Sequence, residues 1–350
     1  MRIRVIATLA LSAVALSAVS GFDWRPQPRW EPGDSAGATA RLRGLSAVNG
    51  SVAWASGSGG AVLRTTDGGR HWRPVGPAGS TLEFRDVQGF DADSAVVLAI
   101  GPGDSSRVYR TDDGGRSWAE TFRNEDQRAF YDCMAFFDRD SGLALSDPVD
   151  GRFRLLSTQD GGRSWRVLPT SGMPPALDGE FAFAASGTCL VTAGDRSGNA
   201  WIATGGGPAA RVFRTGDRGH TWSVIDTPVP AAPTAGIYSL AFRDPWHGIA
   251  VGGDYATPTS APRAAAVSRD GGRSWAPAWR EPGEYRSGAA WAGHRGPLAL
   301  AVGPTGSDLS YDGGRIWRRF DSGSYDAVAC AGGTCYATGE QGRVARIRWS

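Results

Sequence analysis

The chain predicts an all-β fold: a seven-bladed β-propeller of four-stranded antiparallel blades, with an N-terminal strand closing the last blade. Three observations carry that prediction. A short unit recurs six times, with its aspartates at Asp67, Asp113, Asp160, Asp217, Asp270 and Asp312. A period in the forties to fifties marks a repeat architecture, most often propeller blades. Seven inner-strand starts can be laid out around the six units, and 50 Gly with 14 Trp and few helix-favouring runs suit strands joined by many turns. A six-bladed ring with a stray C-terminal hairpin is the alternative.

The chain opens with Arg2 and Arg4, an apolar run from Val5 to Val19 and a small-x-small exit at Ala18-Val19-Ser20. That pattern reads as a secretory signal peptide over residues 1–20, leaving a single propeller domain over 21–350. The run is short for a membrane span, and no Cys follows it to carry a lipid. The expected protein is exported, periplasmic or secreted, monomeric, and not integral to a membrane. Removing Arg2 and Arg4 takes the 37 basic residues to 35, against 35 acidic ones. A neutral protein lacks the field that non-specific nucleic-acid binding needs, so no nucleic-acid partner is expected.

Each unit is a hairpin turn between two apolar runs. The aspartate is followed two residues later by Gly and five residues later by Trp, giving Trp72, Trp118, Trp165, Trp222, Trp275 and Trp317. The carboxylate can cap backbone N–H groups of its own turn, while Gly accepts positive φ. The indole can be buried between hairpins with its N–H on a carbonyl. These six Asp and six Trp residues are therefore expected to be structural.

The inner strands should start near Arg43, Arg85, Tyr131, Glu180, Ile237, Arg286 and Tyr325. The seventh unit lacks its outermost strand, and the segment Phe22–Trp30 has no blade of its own, so that segment is expected to supply it. Pro26 and Pro28 fit an edge strand, where a missing N–H is tolerated. Cys330 and Cys335 flank a hairpin turn and should pair. Cys133 and Cys189 either bridge adjacent blades or stay free thiols.

Ligands of a propeller meet the face formed by loops between blades and between second and third strands, and the aspartate turns lie on the other face. The blade starts and mid-blade loops thus give a polar mouth: Arg43, Arg85, Asp86, Tyr131, Asp132, Glu180, Tyr238, Asp254, Tyr255, Arg286 and Asp308, with Asp147, Asp195, Arg196 and Asp326 beside them. The expected ligand is a protein or a glycan. Polar residues at such positions also simply face water. If the protein is an enzyme, Asp132, Glu180 and Asp254 are the carboxylates from which a glycosidase pair could be drawn. Arg43, Arg85 and Arg286 with Tyr238 or Tyr285 could imitate a sialidase site, but the Arg-Ile-Pro signature is missing. The four His residues are scattered without zinc spacing, and no dinucleotide or phosphate-loop fingerprint occurs. No metal or cofactor is expected.

The six turns resemble the Asp-box, or BNR repeat, of sialidases, some glycoside hydrolases and sortilin-type receptors. With Phe242-Arg243-Asp244-Pro245-Trp246-His247-Gly248-Ile249-Ala250 leading to Gly252-Gly253 and then an Asp-box, the chain resembles the photosystem II stability/assembly factor-like family over nearly all of its mature length. That resemblance implies a lumenal-type, non-catalytic propeller that holds a protein subunit during assembly, partly through an arginine patch. Arg43, Arg85 and Arg286 are the candidates for such a patch. The glycoside hydrolase is the alternative function.

Overall fold

The computed structural model describes residues 28–194, 197–293 and 296–349. Its strands form seven four-stranded sheets, paired antiparallel. Six sheets use four consecutive strands, and the seventh joins three C-terminal strands to Pro28–Pro32. The innermost strands of blades one to seven are Leu42–Ala47, Glu83–Gly89, Tyr131–Phe136, Leu190–Thr192, Ala235–Phe242, Gly288–Trp291 and Ala327–Ala331. The seven-bladed expectation holds. The predicted signal peptide, residues 22–27 of the predicted closing segment, Asp195 and Arg196 lie outside the described residues.

Blade seven closes as the unpaired hairpin required. Pro28–Pro32 runs antiparallel to Val344–Trp349, with Pro28 opposite Trp349 and Pro32 opposite Ala345. It is an edge strand, so its two prolines cost no ladder bond. Trp30 is buried against Tyr325 and Phe320, and its Nε1–H donates to Ser307 Oγ at 2.9 Å. Glu31 accepts two bonds from Arg346, at 2.8 and 2.6 Å.

The aspartate turns share one wiring. In blade one, Asp67 Oδ1 accepts from the Thr65 hydroxyl and from the N–H groups of Arg70 and His71, at 3.0–3.1 Å. The same Thr65 hydroxyl accepts from Gly69 N–H. Asp113, Asp160, Asp217, Asp270 and Asp312 likewise each accept from a hydroxyl two residues back and from the N–H four residues on. Gly68 and Gly69 sit at φ 77° and 81°, which a side chain tolerates poorly. Blade four is the exception: Arg218 holds φ 60° there, and its guanidinium reaches Ser141 and Asp138 of blade three. The tryptophans clamp neighbouring blades. The backbone N–H groups of Trp72, Trp222 and Trp317 donate to carbonyls of Asp34, Gly172 and Arg280, in the preceding blades' outer segments. The indole N–H of Trp118 bonds to Val75 O, whereas those of Trp72, Trp165 and Trp275 have no hydrogen-bond partner.

The apolar core is divided among the gaps between blades. One cluster joins Leu42, Leu63 and Trp72 of blade one to Ala327, Tyr336 and Val344 of blade seven. Another joins blades three and four around the Cys133–Cys189 disulfide. Cys330 and Cys335 are also bonded, across their hairpin.

One boundary needs correction. Blade four's inner strand begins at Leu190, not at Glu180. The preceding stretch crosses the mouth before the chain turns into its sheet, and the step from Asp160 to Asp217 is the longest between successive turns.

Candidate ligand-binding mouth

Successive antiparallel strands reverse direction. The blade-to-blade connections and the second-to-third-strand loops therefore share one end of the disc, and the aspartate turns share the other. At the first end the inner strands carry a recurring irregularity. The register skips Arg43 in blade one, Arg85 in blade two, Asp132 in blade three and Tyr238 in blade five. A bulge leaves one residue unpaired and re-aims its side chain. Four of the residues the sequence placed at the mouth are thus bulge residues.

Below the bulges, inner strands present free edges to the channel, and buried backbone groups need partners. Short polar side chains stitch them together. Asp86 accepts from Val87 N–H and Met134 N–H, both at 2.7 Å. Ser239 accepts from Ala289 N–H and from the Thr188 hydroxyl, and Ser287 donates to Asp326 O. Burial is the largest influence on Asp86 and raises its carboxyl well above the usual range, against those two N–H bonds.

Above the belt, the stretch 177–187 leans across the channel. Glu180 is buried and held by Arg211, whose Nε and Nη2 donate at 2.9 and 2.5 Å, and by the Thr204 hydroxyl at 2.6 Å. Ala182 N–H donates to Asp147 Oδ1, Arg85 Nη1 donates to Ala184 O, and Ser186 Oγ donates to Ser287 O. The stretch therefore touches blades two, three, four and six, and Phe183 stacks on Tyr238 of blade five at 3.8 Å.

Beside it lies a basin of about 440 Å³. Phe183, Tyr238, Tyr255 and Tyr285 form its aromatic wall, with Tyr285 edge-on to Tyr238 at 4.7 Å and Tyr255 55% exposed. Arg41, Arg43 and Asp326 form its polar side. Arg41 grips Asp326 through both carboxylate oxygens, at 2.9 and 2.7 Å, while Arg43 Nε stays 4.0 Å from it. Burial, with Arg41 nearby, holds the Arg43 guanidinium below its ordinary pKa; burial and then Arg43 bring Arg85 down to about 10. Both remain cations at neutral pH, and Arg43 has the weaker protein partner.

The remaining candidates lie elsewhere. Tyr131 is buried against Phe122, its hydroxyl pushed up to about 12 by desolvation. Arg286 and Asp308 are a buried ion pair, with Arg286 Nη2 and Nε both on Asp308 Oδ2 at 2.6 and 2.7 Å. Asp254 caps its own turn through Ala256 N–H. Arg286 therefore stands apart from the Arg41–Arg43–Arg85 group. Arg41 and Phe183 were not singled out from the sequence. Arg41 sits just outside the strand pattern, and the only sign of Phe183 was the long Asp160–Asp217 step. A second concavity of about 320 Å³ lies at the far end of the inner strands beside Phe242, Trp291 and Cys330. Among the described residues no group of three or more His, Cys, Asp or Glu is placed to hold a metal, and no helix is long and apolar enough to cross a membrane.

No protein-family model matches the chain and no curated protein matches it in sequence. Solved structures match in shape. The structure of YCF48 bound to D1 peptide aligns with TM-score 0.63 at 15% identity, covering 93% of this chain and 97% of that one. YCF48 from Cyanidioschyzon merolae aligns with TM-score 0.61 at 17% identity, over 91% and 98%. The GH74 xyloglucanase from Xanthomonas campestris aligns with TM-score 0.58 at 17% identity, over 81% of this chain and 48% of that one, so this chain spans about half of the enzyme. The chain is a single seven-bladed β-propeller similar in fold to YCF48, and the photosystem II assembly factor-like resemblance carried by its repeats holds at the level of architecture.

Proposed function

We propose that this is an exported, non-catalytic binding platform that captures a segment of a partner protein in the mouth basin. The observation that carries the reading is the pairing of an under-neutralised guanidinium, Arg43, with an aromatic wall in one concavity. Such a site suits an apolar or aromatic side chain next to an acceptor group, since aromatic walls supply area and a few placed polar groups supply orientation. The likeness in fold to a YCF48 structure that holds a D1 peptide supports a protein segment as the occupant. Two carboxylates near the basin are already committed: Asp326 is gripped by Arg41 and Glu180 by Arg211, so neither offers a free acid or base. Export rests on the signal-like first 20 residues.

The test is capture of partners from an envelope extract by the immobilised protein, with Arg43→Ala and Tyr255→Ala compared against wild type. Each substitution should weaken capture of the specific partner at least about tenfold, the loss of one well-placed contact. Undiminished capture by both variants, selective binding on a glycan array instead, or turnover of glycoside substrates would overturn the reading.

A further inference from the structure

Two carboxyl groups sit at the mouth where partner capture does not require them. Asp132 is the bulge residue of blade three's inner strand, and Asp147 is skipped in turn where the second strand pairs with the third, between Ser146 and Pro148. Bulges on the two adjoining strand pairs of one blade bring the two carboxyls together. Asp132 is buried, and its Oδ2 has no N–H or O–H donor. Burial and then the Asp147 carboxyl push Asp132 well above the usual carboxylate range, and burial raises Asp147 to about 7. A protonated carboxyl can donate to its neighbour, which gives the buried Oδ2 its partner.

This pair is tied to the stretch that walls the basin. Asp147 Oδ1 accepts from Ala182 N–H at 2.9 Å, one residue before Phe183. Arg85, which lowers Asp132 by its charge, donates to Ala184 O at 2.9 Å, one residue after it. We propose that Asp132 and Asp147 form a proton-dependent latch on the 177–187 stretch, which walls the mouth basin while the pair keeps its protons and loosens when they are lost. The latch regulates the site proposed above and rests on that reading for its purpose, though not for its physics.

The sign follows from linkage. A carboxyl whose pKa is raised in the closed state stabilises that state fully at low pH, and the stabilisation is lost as pH rises through the raised value. Any opening that returns Asp147 to water is therefore favoured about tenfold per pH unit from its ordinary 3.8 up to about 7, and the effect levels off above that. The Ala182 N–H bond favours the carboxylate, but burial outweighs it. The charged and titratable neighbours on adjoining elements are Arg85 and Asp86 of blade two, Tyr131 and Arg154 of blade three, and Glu180 on the stretch itself. Arg154 is engaged by Asp126 and Glu180 by Arg211, and Asp86 is engaged by two backbone N–H groups. That leaves Arg85, which also lies 3.7 Å from Glu83, as the cation placed to turn from Ala184 O toward an ionised pair, which releases the second tie as well.

Amide hydrogen exchange on the full-length protein without ligand tests this, between pH 4 and 9 and corrected for intrinsic rates. Protection of the peptide covering 177–189 should fall by up to about tenfold per pH unit between about 4 and 7 and level off above about 7, while blade-one peptides keep theirs. In Asp132→Asn/Asp147→Asn, protection of that stretch should no longer depend on pH. Constant protection in wild type, an equal loss in blade one, or an unchanged slope in the double variant would overturn the latch. The comparison of the two regions in wild type decides the matter even where the variant does not fold. Because no ligand is present, a failed latch leaves the capture experiment to judge the basin on its own.

Discussion

At the scale of single residues, the six aspartates show how a charged group can be structural at the surface. Burial tends to raise Asp160, but the Ser164 hydroxyl and N–H and the Thr158 hydroxyl outweigh it and hold the carboxyl at about 2. The same balance, with burial again the largest opposing influence, holds Asp67 at about 2, and Ser117 does so for Asp113. These carboxyls titrate below their ordinary 3.8. Their contribution to stability is present above about 3.8 and is lost as pH falls toward about 2. Asp160→Asn should therefore lower stability by about 1 kcal/mol at pH 7, a value discounted for solvent screening. It should also flatten the acid limb of a denaturation curve followed by Trp fluorescence; an unchanged acid limb would count against this role. Asp and Gly at fixed offsets were legible because the turn is local. Arg286 was not: a guanidinium at a strand start looks the same in sequence whether it faces a ligand or, as here, a buried Asp308 brought alongside by the neighbouring strands.

The blade is the natural element, and its boundaries were readable where the repeat spacing is regular. They failed at blade four because the stretch 177–187 answers to contacts with blades two, three, five and six as well as with its own blade. Such long-range contacts leave no period in the sequence; only the extra length remains visible. The bulges at Arg43, Arg85, Asp132 and Tyr238 were likewise invisible as backbone, although the residues themselves stood out. The two disulfides act on different elements. Cys133–Cys189 ties the inner regions of blades three and four across a sequence separation of 56, and Cys330–Cys335 closes one hairpin with a separation of 5. On chain entropy alone the former should contribute about 4 kcal/mol and the latter about 2. Cys133→Ala/Cys189→Ala should then lower the denaturant midpoint clearly more than Cys330→Ala/Cys335→Ala, a ranking that equilibrium unfolding checks. Equal losses would mean that packing around the sulfurs, rather than the length of the loop they close, sets their value.

For the whole molecule the deciding feature is the seam in blade seven. Trp30 is buried there, and its indole bonds to Ser307 of blade six, so the closing strand fastens two blades at once. Trp30→Ala should cost about 3–5 kcal/mol and lower the melting temperature by about 5–10 °C for a chain of this size. Deleting 28–32 should cost more, since it also exposes the edge of Val344–Trp349. Calorimetry on the two variants measures both, and wild-type melting of the deletion would exclude closure by this strand.

That seam sets an order of events for folding. Neighbouring blades can dock as soon as they form, but Glu31 meets Arg346 across 315 residues of chain, and contacts of such separation form slowly. A nascent molecule should therefore pass through a horseshoe, complete except for its clasp, with two raw sheet edges open to any other strand. Until the clasp fastens, the chain is most exposed to mispairing with a second copy of itself.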